Sequence, residues 1–153
     1  MPFVQNYNDD LRLAHVMADS VDDQTMSRFK ALDLKVETKP DLTPVTDADK
    51  AAEDAIRGQL SRARPRDAVL GEEFGSTGSG PRRWVIDPID GTMNFVRQFN
   101  HSCISVAYMS HGVLRAAAIY NPYVDEMFTA VLGQGAKLNG SPIRAAIRTA
   151  GFM

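Results

Sequence analysis

Only one cysteine, Cys103, occurs in the 153 residues, so no disulfide can close within the chain and a reducing compartment, the cytoplasm, is the natural setting. No apolar run approaches the ~18–20 residues that a membrane-spanning helix needs. The opening Met1-Pro2-Phe3-Val4-Gln5-Asn6 has neither the basic nor the apolar region of an export signal. Charge of one sign is missing too. Lys and Arg number 17 against 19 Asp and Glu, a net charge of −2, and the cations are scattered. No basic face therefore points to nucleic acid or to an anionic membrane. In such a setting the glycosylation-like triplets Asn100-His101-Ser102 and Asn139-Gly140-Ser141 carry no meaning.

Several signatures of chemistry are absent in the same way. His15, His101 and His111 lack a metal-type spacing and read as surface residues. Asp47-Ala48-Asp49 begins like a calcium loop, but the required glycine and spaced ligands do not follow. Gly75-Ser76-Thr77-Gly78-Ser79-Gly80 has no phosphate-loop lysine behind it and reads as a linker. Gly133-Gln134-Gly135 lacks the third glycine and the helix of a dinucleotide site. Cys103 lies in an apolar stretch with no histidine beside it in sequence, the pattern of a buried structural thiol.

What remains has the composition of an ordinary globular protein, 44% hydrophobic and 24% charged, and suggests one domain over residues 1–153. A chain of this size buries about 68–70% of its unfolded surface, enough for a real core. Asn8, Asp9 and Asp10 supply caps and N-terminal charge to a helix expected to run to about Lys30, with Ala14, Met17, Val21, Phe29 and Leu32 on its packing stripe. Residues 34–38 alternate as a short strand, followed by a loop containing Pro40 and Pro44. Thr46 opens a second helix that carries Ala52, Ala55, Ile56, Leu60 and Ala63 along one face, and Pro65 ends it. Asp47 and Asp49 both sit in its first turn, where acids favour the helix dipole; Asp49 reads as nothing more than that. Ala68-Val69-Leu70 is a buried strand that leads into Gly71-Glu72-Glu73. Residues 103–109, 113–120 and 126–131 form three successive strands of an antiparallel meander. The expected fold class is α+β, two amphipathic helices packed on a mostly antiparallel sheet with carboxylates gathered at strand ends.

The stretch that organises the rest is Asp87-Pro88-Ile89-Asp90-Gly91-Thr92-Met93-Asn94-Phe95, behind the apolar Trp84-Val85-Ile86. The strand is expected to stop at Ile86, and Pro88 holds Asp87 out of helical geometry, so both acids stand on a rigid turn. Rigid carboxylates three residues apart suit a metal ion. Asp90 is also placed to cap a helix over 91–98, whose first amides, on Gly91 and Thr92, would face an anion. Two acids alone would mark no more than a strand end and a cap; the nine residues together say more.

Those nine residues, with Gly71-Glu72-Glu73 upstream and, before it, Asp41-Leu42 and Val45-Thr46-Asp47, resemble the three motifs of the inositol monophosphatase family, magnesium-dependent and lithium-sensitive phosphatases. The resemblance spans roughly residues 11–143. Within it, 31–74 looks most like the histidinol-phosphate phosphatase branch of actinobacterial type, whereas 96–143 looks more like general bacterial inositol monophosphatases, the division a chimeric origin would give. The resemblance implies hydrolysis of a phosphate monoester by metal-activated water, with histidinol phosphate (and so histidine biosynthesis) as the first substrate expected and inositol phosphate the second. It implies Mg²⁺, for which Mn²⁺ is expected to substitute, held by Glu72, Asp87, the Ile89 carbonyl and Asp90. Asp47 and Thr92 would orient the attacking water, and the Gly91 and Thr92 amides would hold the phosphate. The family's later tryptophan–aspartate motif, which supplies another metal ligand, has no counterpart. The chain is therefore expected to be half of the family fold, completed by another segment or by a homo-oligomer. The alternative is a non-catalytic module for folding or self-association that retains the metal motif.

Overall fold

The computed structural model describes residues 6–146; residues 1–5, read above for an export signal, and 147–153 lie outside the described residues. The first helical stretch is divided in two. Helix α1 covers Asn8–Ser20 and α2 covers Asp22–Met26, where a single helix to Lys30 is expected from sequence. Val21 leaves helical geometry, and Asp22 and Asp23 supply first-turn acids for a new start. Tyr7 is the N-cap of α1, and Asn6 Oδ1 accepts the Asn8 amide at 2.9 Å. Ala14, Met17 and Val21 are fully buried as the stripe predicts, but Leu32 lies beyond the helices, fully exposed.

A two-stranded ribbon follows, β1 (Val36–Thr38) with β2 (Pro44–Thr46). The second proline of the expected loop therefore opens a strand. Helix α3 (Asp47–Ala63) begins from a capping box: the Thr46 side chain accepts from the Asp49 amide, and the Asp49 carboxylate accepts from the Thr46 amide. Next come β3 (Ala68–Gly71) and β4 (Gly75–Thr77). The glycine-rich stretch expected to be a plain linker thus supplies an edge strand antiparallel to β3. Strand β5 (Arg82–Asp90) leads to the one-turn helix α4 (Thr92–Val96), then to β6 (Cys103–Ser110), β7 (Val113–Asn121), β8 (Glu126–Val131), β9 (Ala136–Leu138) and β10 (Ser141–Ile143).

Among the described residues eight strands form one sheet in the order β10-β9-β8-β7-β6-β5-β3-β4, and within it only β3 and β5 pair in parallel. The expected α+β architecture, two helices on a mostly antiparallel sheet, is present. Helices α1 and α3 pack on one face, where Met17, Val21, Ile56 and Leu60 meet Trp84, Ile86, Ile104, Val106 and Tyr108 in the main core. Strand periodicity turns the alternate residues away. In register across the opposite face run Leu70, Val85, Ala107, Ala117 and Ala130, flanked by Ile119 and Phe128. Of these, Leu70 and Ile119 are exposed. Among the described residues no helix is long and apolar enough to cross a membrane.

Candidate active site

Strand β5 does not stop at Ile86; it carries its acids inside the sheet. Asp87 pairs with Ser105 and Asp90 with Cys103, so three steps along β5 match two along β6, and the extra residue is a bulge. Pro88, which has no amide to give a ladder, sits in that irregular stretch, where a strand tolerates it. Residues three apart in a regular strand face opposite sides; the extra residue lets Asp87 and Asp90 approach one side. Gly91, not Asp90, is the N-cap of α4, with no side-chain cap bond. Its φ of +99° is left-handed, and a Cβ there would come within 2.8 Å of the His101 carbonyl oxygen, so only glycine fits. Buried Phe95 anchors α4, packed on Phe29, whose ring also meets Tyr123 edge-on.

The pairing expected between Asp47 and Thr92 is not found. The Thr92 hydroxyl donates to Asp49 Oδ1 at 2.8 Å, with the Ile89 carbonyl oxygen 3.1 Å away as a second acceptor. Asp47 instead accepts from Arg28 at 2.9 Å through Oδ2, while its Oδ1 is buried with no partner among the described residues. The capping box decides between the two. As N3 of α3, Asp49 folds its carboxylate back toward the helix start, where Oδ2 takes the Thr46 amide at 2.9 Å and hydroxyl at 2.5 Å and leaves Oδ1 for Thr92. Asp49 is 1% exposed, and burial raises its pKa, against the pull of the bonds from Thr46 and Thr92.

Asp87 is the focus of the electrostatics. Burial, then the charges of Asp90, Glu72, Asp49 and Glu73, push its pKa up from 3.8 to about 7. No donor among the described residues reaches its carboxylate. Glu73 is pushed upward too, first by burial and then by Asp49, with Lys39 pulling the other way. Glu72 lies at the exposed rim and takes the Lys39 ammonium at 3.3 Å, and Lys39 stands 3.7 Å from Glu73. Burial pulls the Lys39 pKa down, but the carboxylates of Glu73 and Glu72 outweigh it and raise it. Cys103 is half-buried, not fully buried; its Sγ lies 4.0 Å from Asp90 Oδ2. Burial, then Asp90 and Asp87, hold its thiol protonated, with a pKa of about 11.

The structure thus sets Asp87 within the charges of Asp90 and Glu72, puts the Thr92 hydroxyl by the Ile89 carbonyl at the Gly91 turn, and sends Asp47 to Arg28. Among the described residues no three His, Cys, Asp or Glu side chains converge into a ready-made metal cage. The donor set nevertheless fits a hard divalent cation. Its donors would all be oxygen, its charges repel one another, and its central carboxylate has no donor among the described residues. Sequence reasoning passed over Asp49, Lys39 and Glu53. For Asp49 the signal was present in Thr46-Asp47-Ala48-Asp49, since a cap residue followed three positions later by an acid is the pattern of a capping box. A cleft of about 470 Å³ between Asp10, Arg64, Arg66, Arg82 and Tyr108 lies at the other end of β5 and takes no part in this cluster.

An α+β sheet with a bulged acidic strand, a glycine-capped turn and a part-buried Asp49–Thr92 pair places the chain in a known family. Residues 9–150 match the inositol monophosphatase family, and the chain belongs to it. A histidinol-phosphatase of Streptomyces coelicolor is 77% identical over 92 residues, 60% of this chain and 35% of that protein. A histidinol-phosphatase of Mycobacterium tuberculosis is 49% identical over 130 residues, 84% of this chain and 50% of that one. Among solved structures, the IMPase of Thermotoga maritima superposes with a TM-score of 0.84 at 32% identity, over 90% of this chain and 54% of that chain. An IMPase/NADP phosphatase solved with Mg²⁺ and phosphate superposes with a TM-score of 0.78 at 25% identity, over 90% of this chain and 53% of that chain. The chain spans about half the length of most of these relatives, and about a third of the Streptomyces protein.

Proposed function

We propose that this chain carries the metal- and water-handling half of a phosphate monoester hydrolase. The substrate is of the histidinol phosphate type, as in histidine biosynthesis, with an inositol monophosphate second, and the setting is the cytoplasm. The observation that carries the reading is the Asp87 carboxylate: half-buried, without a donor among the described residues, surrounded by four other acids and adjacent to the Asp49–Thr92 pair. Asp87, Asp90 and Glu72 would hold Mg²⁺, or Mn²⁺ in its place, together with the Ile89 carbonyl. Bound there, the cation supplies charge neutralisation for the phosphoryl group and acidifies a water.

The chain's own residues do the rest. Thr92 gives its only hydroxyl proton to Asp49, so its oxygen lone pairs remain to accept a hydrogen bond from the attacking water and to aim it. Asp49 is the acceptor at the end of that relay, the role expected of Asp47, and Thr46 keeps its carboxylate in place. The Gly91 and Thr92 amides would hold phosphate oxygens at the turn that glycine alone allows. Lys39 must release Glu72 for the rim carboxylate to act.

Turnover of a generic phosphate ester with Mg²⁺, abolished in Asp90→Asn, tests the reading. A folded wild-type chain that binds Mg²⁺ and shows no turnover would refute it in favour of a non-catalytic module. The apolar row from Leu70 to Ala130, with Leu70 and Ile119 exposed, favours association of this half with a further protein layer, a second copy of the chain included.

A further inference from the structure

Glu53 is fully buried, 0% exposed, one turn beyond Asp49 on α3. Its carboxylate does not face another helix; it is filled by the turn that carries Glu72. Oε1 accepts the Glu73 amide at 2.8 Å, and Oε2 accepts the Phe74 amide at 2.8 Å and Arg57 Nε at 3.0 Å. Arg57 reaches on to β4, where Nη1 donates to Thr77 Oγ1 at 3.0 Å and Nη2 to the Gly75 carbonyl. The approach is so close that a Cβ on Gly71 would collide with the Glu53 carboxylate, which explains the glycine before the two acids. Glu72 takes Lys39 on its carboxylate instead. Its own amide donates to the carbonyl of Ile86, the residue before Asp87, at 3.3 Å. Glu72 is therefore suspended between two anchors, the backbone of β5 and the Glu53 carboxylate on α3.

We propose that Glu53 is a positioning residue for the acid site: it fixes the Glu72–Glu73 turn against Asp87, with Arg57 locking its second oxygen. Helix α3 then governs both sides of the site, Thr92 through Asp49 and the turn through Glu53, two acids four residues apart on one face. The proposal rests on the reading of the acid cluster as a divalent-cation site. Only a carboxylate fits, because two neighbouring amides each need an acceptor. Glutamine would offer one oxygen and turn an NH₂ group against the other N–H. The turn would still form, but less fixed. Outer groups that orient metal ligands affect affinity in this indirect way.

The test uses the full chain as wild type, Glu53→Gln and Arg57→Lys, with amide hydrogen exchange followed by NMR and Mn²⁺ affinity by calorimetry. In Glu53→Gln, protection of the Glu73 and Phe74 amides should fall about tenfold or more, the scale of one hydrogen bond lost. Amides of β6 and β7 should keep theirs, and Mn²⁺ should bind about 10–100-fold more weakly. Arg57→Lys loses the Thr77 and Gly75 contacts and should give a smaller change of the same pattern, so the idea stays decidable if Glu53→Gln does not fold. Wild-type protection at Glu73 and Phe74 with unchanged Mn²⁺ affinity in both variants would overturn the proposal. So would loss of protection spread evenly over the sheet, which would make Glu53 a general structural residue. A wild-type chain that binds no Mn²⁺ sinks the cation-site reading itself, and with it any role of Glu53 toward that site; a failure confined to the variants sinks Glu53 alone.

Discussion

Replacing Asp87 with Asn should make the metal-free chain more stable at pH 8. The Asp87 pKa rises from 3.8 to about 7 in the folded state because burial, then Asp90, Glu72, Asp49 and Glu73, oppose its charge. A raised carboxylate binds its proton more tightly in the folded chain than in the unfolded one. Between pH 3.8 and about 7 the folded state therefore carries a proton that the unfolded state has released, and stability falls as pH climbs through that window. Above about 7 the whole penalty is present. A shift of about 3 units at ~1.36 kcal/mol each is nominally ~4 kcal/mol. Asp87 is only half-buried, and solvent screening reduces that to about 2 kcal/mol. Asn keeps the shape and removes the charge, and no donor among the described residues loses an acceptor by the exchange.

For a chain near 150 residues, ~2 kcal/mol is about 4–8 °C in Tm. The assay is thermal unfolding of wild type and Asp87→Asn in chelator at pH 4.5, 6 and 8, read as the difference between them so that other titrating groups cancel. The gain should be near its full size at pH 8 and shrink steadily toward pH 4.5. Adding Mn²⁺ at pH 8 should reverse the order, since a ligand of the folded state stabilises only the chain that binds it. A variant less stable than wild type at pH 8 without metal, or a gain that ignores pH, would refute the reasoning.

Asp49→Asn should reduce phosphate ester turnover by about 10²–10⁴-fold, whereas Asp47→Asn, which loses only its bond from Arg28, should leave turnover within a few-fold; equal losses in steady-state rates would return the water-orienting role to Asp47. Asp49→Asn should also lower stability by about 1 kcal/mol through the damaged capping box, measured by denaturant titration. Lys39→Met frees Glu72 and Glu73 of their ammonium, so Mn²⁺ should bind about two- to fivefold more tightly by calorimetry, the scale of a rim ion pair; weaker binding would show that Lys39 helps to build the site. Light scattering should find dimers or larger species at high concentration, and Ile119→Lys, on the open face of the sheet, should shift them toward monomer; a wild-type monomer throughout would contradict the association.

How much of this could be read from the residues depends on whether the deciding interaction is local. The meander β6–β7–β8 was legible because alternation and turn residues act within a few positions, and the register merely followed. The break at Val21 and the strand at Gly75–Thr77 were not, since the first is a competition between two helix starts and the second needs β3 as a template. The acids divide along the same line. Asp87 and Asp90 announced themselves by spacing, yet their common side depends on a bulge set against β6, three steps matched to two. Asp47 and Asp49 looked alike in a first turn; what separates them is which carboxylate folds back to Thr46, and the one that does is thereby delivered to Thr92, 43 residues further along the chain. Glu53 was hidden most completely. It lies on α3 between Ala52 and Ile56, and its partners are backbone amides 20 and 21 residues away, groups that every residue but proline possesses and no sequence marks.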